Sequence, residues 1–319
     1  MKTNLTKRDV WRVTSDEMES AMRPRHSSLA TRHALTVGAE VTRLERGASE
    51  GLLASSPTIP RHATRHPSPI THRRAFTIVE LLIVIAIIAI LAALLLPVLA
   101  GARVAAQKKQ AALEISQIVS AIQQYDSAYS RFPVSSDAQA AATAGTGDFT
   151  YGAVFQTPAG PGSPYNLLNG TYAMSNCEVI AILMDFTNYP NSSRFTVNTN
   201  FQKNPQQTVF LNAKMSGWDP SQGGAPLPGV GNDLVYRDPW GNPYVITMDL
   251  NYDEQCQDAF YSLSVVSAGG FNGLVNPDGA ANNFRYHGKV TVWSAGPDKM
   301  IDAGNPATTG VNKDNILSW

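Results

Sequence analysis

Histidine is nearly absent from most of this 319-residue chain. Five of its six histidines (His26, His33, His62, His66 and His72) fall in the first 75 residues, which leaves His287 alone downstream. That removes His-built metal clusters and most acid–base triads from the larger part of the chain. The five upstream histidines have no regular ligand spacing. The sequence also has no G-x-S-x-G elbow, no phosphate-binding glycine loop and no C-x-x-C pair. There are two cysteines, Cys177 and Cys256. A disulfide in an oxidising compartment and two separately buried thiols are both open readings. Charged residues make up only 16% of the chain. Acids that could pair, for example Asp249, Asp253 and Glu254, read as surface charge, because nothing implies a concave site around them. An enzyme is not expected.

What the chain does have is one long apolar run. From Leu81 to Ala100 there are twenty residues without a charge. At a helical rise of ~1.5 Å per residue this spans about 30 Å, the hydrocarbon thickness of a bilayer. Glu80 stands at its head, behind Arg73-Arg74-Ala75. A carboxylate at the edge of a membrane segment is costly without a partner and so reads as functional. Two plainer readings compete. One is a secretory signal ending in the small-residue pattern Val98-Leu99-Ala100, and the other is a simple anchor. Neither gives Glu80 a role.

The formal charge of zero hides an asymmetry. Residues 1–75 carry 13 Lys and Arg against 7 Asp and Glu, a net of +6, and residues 76–319 carry 12 against 18, a net of −6. A basic segment before a membrane helix holds that side in the cytoplasm, which places the acidic remainder across the membrane. The acidic balance also argues against a nucleic-acid-binding face.

Basic residues, a small residue, then Phe76-Thr77-Ile78-Val79-Glu80 and an apolar run resemble the type IV prepilin processing signal, which pseudopilins of type II secretion share. Pro97 also fits. The resemblance implies cleavage by a prepilin peptidase between Ala75 and Phe76 and methylation of the new N-terminus. The usual residue before the cut is Gly, and here it is Ala75. A freed amine needs a counter-charge in lipid. Glu80 of a neighbouring copy can supply it, fixing register between staggered helices.

Along the chain, residues 1–75 show no sustained pattern beyond the imperfect repeat RHSSLATRH and RHATRH and a short helical stretch from Val37 to Leu53. They read as a disordered basic leader, removed on processing. Residues 76–100 form the transmembrane half of a long helix and residues 101–132 its amphipathic half, with Ile115, Ile118, Val119, Ile122, Tyr125 and Tyr129 as the stripe that covers a small domain. Phe132-Pro133 ends the helix. Pro97 removes one backbone bond and predicts a kink or local melting.

Residues 133–237 read as a loop-rich insertion. Within it, Cys177–Phe186 is a short amphipathic helix and Thr208–Leu211 a strand. Tyr151, Tyr165 and Tyr172 are surface aromatics that contact partners or pin loops. In 238–319, the turn cluster Asp238-Pro239-Trp240-Gly241-Asn242-Pro243 precedes strands at Tyr244–Leu250, Ala259–Ser267 and Lys289–Ser294. Trp240 reads as a sheet-packing aromatic, and Trp319 docks the chain end. The expected fold is α+β: a long helix packed on a small antiparallel sheet.

The segments DPWGNPYVI, VTVWSAGPDKMID and NKDNILSW resemble the C-terminal region of the major, G-type pseudopilin. That resemblance implies a calcium-binding loop after the last strand. Asp298 and Asp314 would stand at its ligand-bearing ends, with the Ala295 carbonyl, and Asn315 or Ile316, contributing oxygen. Asp302 and Asn312 add hard-oxygen groups within the loop. Lys299 and the loop's length depart from the family pattern. The implied role is structural: a homo-polymer in the inner membrane with a periplasmic domain, supported by minor pseudopilins, an assembly ATPase and a membrane platform. The alternative is a type IV pilus subunit for adhesion, motility or DNA uptake, with residues 133–237 displayed. A monomeric anchored binding protein is the third reading.

Overall fold

The computed structural model describes residues 76–160, 162–168, 172–268 and 271–319. The leader, with its histidines and the Val37–Leu53 stretch, lies outside the described residues, as does Ala75.

Helix α1 spans Ile78–Tyr129, 52 residues, close to the expected bounds. Thr77 caps its start from an extended backbone. Its end comes slightly before Phe132-Pro133, at Ser130, which takes the left-handed conformation with φ 52°. Two kinds of surface share this one rod. From Phe76 to Leu99 every large apolar side chain described is exposed. From Ala111 onward, Ala111, Ile115, Ile118, Ala121, Ile122 and Tyr125 are buried, at the three- and four-residue steps of one helical face.

That stripe rests on a four-stranded sheet. The remaining elements, in chain order, are α2 (Ser136–Ala144), β1 (Asp148–Tyr151), the hairpin β2 (Val154–Phe155) and β3 (Tyr165–Asn166), and α3 (Cys177–Leu183). Then come β4 (Gly229–Val230) with β5 (Tyr236–Arg237), β6 (Val245–Asp249), β7 (Gln255–Cys256), α4 (Ser264–Ser267), β8 (Tyr286–His287), β9 (Val290–Ser294) and β10 (Ile316–Leu317). The main sheet has the order β1-β6-β9-β10 and its pairings are all antiparallel. Its edge strand β1 comes from the segment read as an insertion, so that segment helps build the core.

Strands β6 and β9 are buried along their whole length because the sheet has a core on each face. Ile246, Met248, Val290 and Val292 face the α1 stripe and α3. Val245 and Trp293, paired across the strands, face a second cluster with Phe155, Phe260, Tyr261 and Ile301. The period-2 alternation is therefore real, but it sorts side chains between two cores. Trp319 closes the second core edge-on to Tyr261, with ring centroids 5.1 Å apart, as expected of a docking chain end. Trp240 is only half-buried.

Several expectations are corrected. Ala259–Ser267 is a turn leading into α4. The buried Asp258 carboxylate accepts the Phe260 and Tyr261 N–H groups at 2.9 Å each, and this turns the backbone away from a ladder. The same carboxylate accepts from Thr247 Oγ1 (2.7 Å) and Trp293 Nε1 (3.0 Å), so it also ties β6 to β9. Thr208–Leu211 forms no strand, because the Phe210 and Leu211 N–H groups both cap the Leu183 carbonyl at the end of α3 (2.8 and 3.1 Å). Helix α3 is buried on every side rather than amphipathic. Its Glu178 accepts hydrogen bonds from Tyr151 and Tyr172. Tyr151 is thus a core residue, while Tyr165 and Tyr172 are half-buried. Cys177 and Cys256 are separately buried free thiols.

Asp249, read as surface charge, is fully buried and accepts the N–H groups of Asp253 (3.2 Å) and Glu254 (2.8 Å) in the turn after β6. It stands opposite Asp148 in the β1–β6 register. Asp148 Oδ2 accepts the Gln257 N–H at 2.6 Å, while its Oδ1 is buried without a partner. Burial pushes the Asp148 carboxyl up to about 7, and Asp249 and Asp253 add repulsion. The neutral acid is the form the fold prefers. Its stabilising contribution is complete below the ordinary value of 3.8 and is lost as pH rises through about 7. Asp148→Asn is expected to raise Tm at pH 8 and leave it unchanged near pH 3.5. A thermal series on the detergent-solubilised chain checks this, and an equal shift at both pH values would refute it.

Candidate functional site

Two regions gather the residues singled out by sequence. The first is the start of α1. The Glu80 carboxylate accepts the Thr77 backbone N–H at 2.8 Å and the Thr77 hydroxyl at 2.9 Å. The Glu80 N–H donates in return to Thr77 Oγ1 at 3.2 Å. This reciprocal capping box satisfies donors that a helix N-terminus leaves open. It also sets an anion against the positive end of the helix dipole. The box uses only residues 77–80, so cleavage before Phe76 leaves it whole. It aims the carboxylate back along the chain toward Phe76, which is 77% exposed. Thr77 was missed as a functional residue, although T-x-x-E before an apolar run is a legible signal.

The second region is the loop after β9. Its root is built by the Asp238 turn. The buried Asp238 carboxylate accepts the N–H groups of Trp240 (2.9 Å) and Asn242 (2.8 Å), the Asn242 side-chain amide (2.9 Å) and the Ser294 hydroxyl (2.5 Å). Asn242 Nδ2 also donates to the Gly296 carbonyl at 3.0 Å. Gly296 has φ +72°, and a Cβ there would lie 2.5 Å from the Asp314 carbonyl. The two ends of the loop therefore meet at a position only glycine fits. Ala295, just before it, is fully buried.

Asp298 and Asp314 are brought together. The Asp298 N–H faces the Asp314 carboxylate, and the two carboxyls repel. Burial raises both, and Lys108 of α1 lowers both. Asp298 Oδ1 accepts the Met300 N–H at 2.9 Å. Asp314 Oδ1 and Asn315 Oδ1 are buried acceptors without hydrogen-bond partners. Asp302 is not part of this pair. Its carboxylate closes a turn on the Gly304 N–H (2.8 Å) and the Asn305 amide (2.6 Å). Buried Asn312 staples that turn, accepting from the Asp302 N–H and donating to the Asp302 and Asn305 carbonyls. Among the described residues, no three His, Cys, Asp or Glu groups converge as a metal site. A cation here would thus take two carboxylates and neutral oxygens. Orphaned Asp314 Oδ1 and Asn315 Oδ1 suit a hard cation with that mixed set.

Residues 70–96 match the prokaryotic N-terminal methylation motif. The motif supports a type IV pilin-like protein. No curated protein and no solved structure matches the chain. The long apolar helix over small antiparallel sheets and a loop-rich remainder is consistent with a pilin-like α+β fold. The motif implies prepilin peptidase processing and polymerisation, and a pilin-like family suggests a structural rather than a catalytic role. Among the described residues, α1 is long and apolar enough to anchor the chain in a membrane.

The geometry at Gly296 generates a direct test. Gly296→Ala places a methyl group against the Asp314 carbonyl in a backbone region that L-residues disfavour. It is expected to cost about 2–3 kcal/mol and to loosen the loop between β9 and β10, read as a lower Tm and new protease cleavage between residues 296 and 315. Unchanged Tm and protection would show that the loop ends do not meet there.

Proposed function

We propose that the chain is a pseudopilin of the type II secretion pseudopilus, closest in kind to the major, G-type subunit. The observation that carries this reading is α1: a methylation-motif helix whose first half exposes apolar side chains all round and whose second half anchors a folded domain. The Asp298–Asp314 loop supports the G-type assignment. In this reading the peptidase cuts between Ala75 and Phe76, and the mature chain waits in the inner membrane with its C-terminal domain in the periplasm. An assembly ATPase, a membrane platform and minor pseudopilins extract copies into a short filament that supports protein export.

The Phe76 ammonium of an incoming copy pairs with Glu80 of its neighbour, whose carboxylate the Thr77 box holds at the helix tip. Pro97 has no backbone N–H to donate, so it weakens the hydrogen-bond ladder of the apolar half of the rod. That local weakness suits a helix that must adjust as it leaves the bilayer. In the C-terminal loop Asp298 and Asp314, with Asn315 and main-chain oxygens such as that of Ala295, would hold calcium. Bound calcium supplies positive charge that draws the two carboxylates together.

Mass spectrometry of the mature protein is expected to show a methylated N-terminal Phe76. Glu80→Ala is expected to leave cleavage and membrane insertion intact while abolishing filaments and export of secreted proteins. Normal export with Glu80→Ala would reject the assembly role of this carboxylate. Long surface fibres with secretion unaffected by deletion would favour the type IV pilus alternative.

A further inference from the structure

The start of α3 brings two sulfur atoms together at the wall of a cleft. Cys177 opens that helix, and Met174 lies three residues before it. The Cys177 thiol donates to Met174 Sδ at 3.8 Å, and the Tyr189 hydroxyl donates to Cys177 Sγ at 3.9 Å. Met174, Cys177 and Tyr189 all line a cleft of about 560 Å³. The thiol is fixed in place, because α3 is buried on every side. Cys177 itself is 6% exposed, and Met174 is half-buried. Tyr189 is held from a separate segment. Its N–H donates to the Arg194 carbonyl at 2.9 Å, and the Arg194 guanidinium lies over its ring, 4.6 Å from the centroid.

A thiolate and a thioether are soft ligands, and together they favour a soft ion such as Cu(I) over the hard cations that oxygen ligands hold. At a metal–sulfur bond of about 2.3 Å, sulfurs 3.8 Å apart subtend about 110° at one shared ion. That angle fits three-coordination and leaves a position for one oxygen ligand. The set does not suit structural zinc, which takes four ligands. Among the described residues no three His, Cys, Asp or Glu groups converge. The Asp233 carboxylate on the cleft wall is already gripped by the Arg237 guanidinium at 2.9 and 2.5 Å. Cys256 provides a contrast within the chain, since its Sγ meets a hydroxyl, Thr291 Oγ1, at 3.5 Å.

We propose that Met174 and Cys177 form a binding site for a soft monovalent metal ion, Cu(I) or Ag(I), with the Tyr189 hydroxyl beside it. Binding breaks the Cys177 S–H bond and forms a sulfur–metal bond, and the proton leaves to solvent. The thioether donates a lone pair, and nothing is oxidised or reduced. The ion ties the start of α3 to the segment that carries Tyr189. This site is independent of the calcium reading and of the assembly reading.

The test uses the full chain in detergent micelles, kept anaerobic, with Ag(I) titrated by calorimetry and Cu(I) delivered in competition with a chromogenic chelator. A tight site for one ion per chain is expected, with a rise in Tm on binding. Met174→Leu keeps the volume and the thiol, and is expected to weaken binding about tenfold or more, at least the scale of losing a supporting group around a metal. Cys177→Ser is expected to abolish the tight site, and Cys256→Ser to leave it unchanged. An excess of calcium should not displace the ion. The Tm of each variant without metal separates a folding defect from a lost ligand. Wild-type affinity in a folded Met174→Leu chain would overturn the thioether as a ligand, and with it the site. Tight binding that survives Cys177→Ser, or its absence in the wild type, would overturn the proposal outright.

Discussion

Seventeen large apolar side chains between Phe76 and Leu99 are exposed, with nothing among the described residues to cover them. Leaving them in water would cost on the order of 20 kcal/mol at about 1–2 kcal/mol each. That exceeds the ~5–15 kcal/mol net stability of a typical domain. The first half of α1 is therefore defined by its need for an apolar surrounding, of the kind that lipid or other apolar helices supply. The second half has the opposite constraint. Its apolar residues narrow to one stripe, and the stripe is spent on β6 and β9. A continuous backbone joins the two, so any displacement of the membrane half moves the folded domain with it.

The domain that α1 carries has short strands and long connections. Its regularity comes from buried acids as much as from the ladder. Asp258 ties Thr247 to Trp293, Asp238 ties Asn242 to Ser294, and Glu178 gathers Tyr151 and Tyr172. Each places a carboxylate among several donors, the condition under which a buried acid is tolerable. Asp148 is the exception. One of its oxygens has no donor and Asp249 stands opposite, so the fold resists its charge.

These acids also explain what was legible in the sequence. Helix α1, β6 and β9 were readable because periodicity and apolar run length are local signals. Strand β1 was missed because Asp148-Phe149-Thr150-Tyr151 follows a Gly-rich stretch and becomes a strand only against β6. Ala259–Ser267 looked like a strand by composition, but the Asp258 carboxylate one residue upstream captures the Phe260 and Tyr261 N–H groups. At the site, Phe76 and Glu80 stood out as anomalies beside an apolar run. The pairing of Asp298 with Asp314 was implied by the resemblance and not by spacing, since it depends on a closure at Gly296 that no spacing rule encodes.

That closure gives the C-terminal loop its significance. The loop is not an appendage, because its root is bonded to the 238–242 turn and that turn is bonded to Gln107. Tyr244 adds a further link from the start of β6 to Glu114 of the same helix. The amphipathic half of α1 is thus read twice along its length, once by packing through its Ile stripe and once by polar contacts at 107–114. Packing alone would let the domain slide or rotate on a smooth apolar face. The polar contacts fix its register on the rod, and copies that stack their rods must present the domain at a set height and angle.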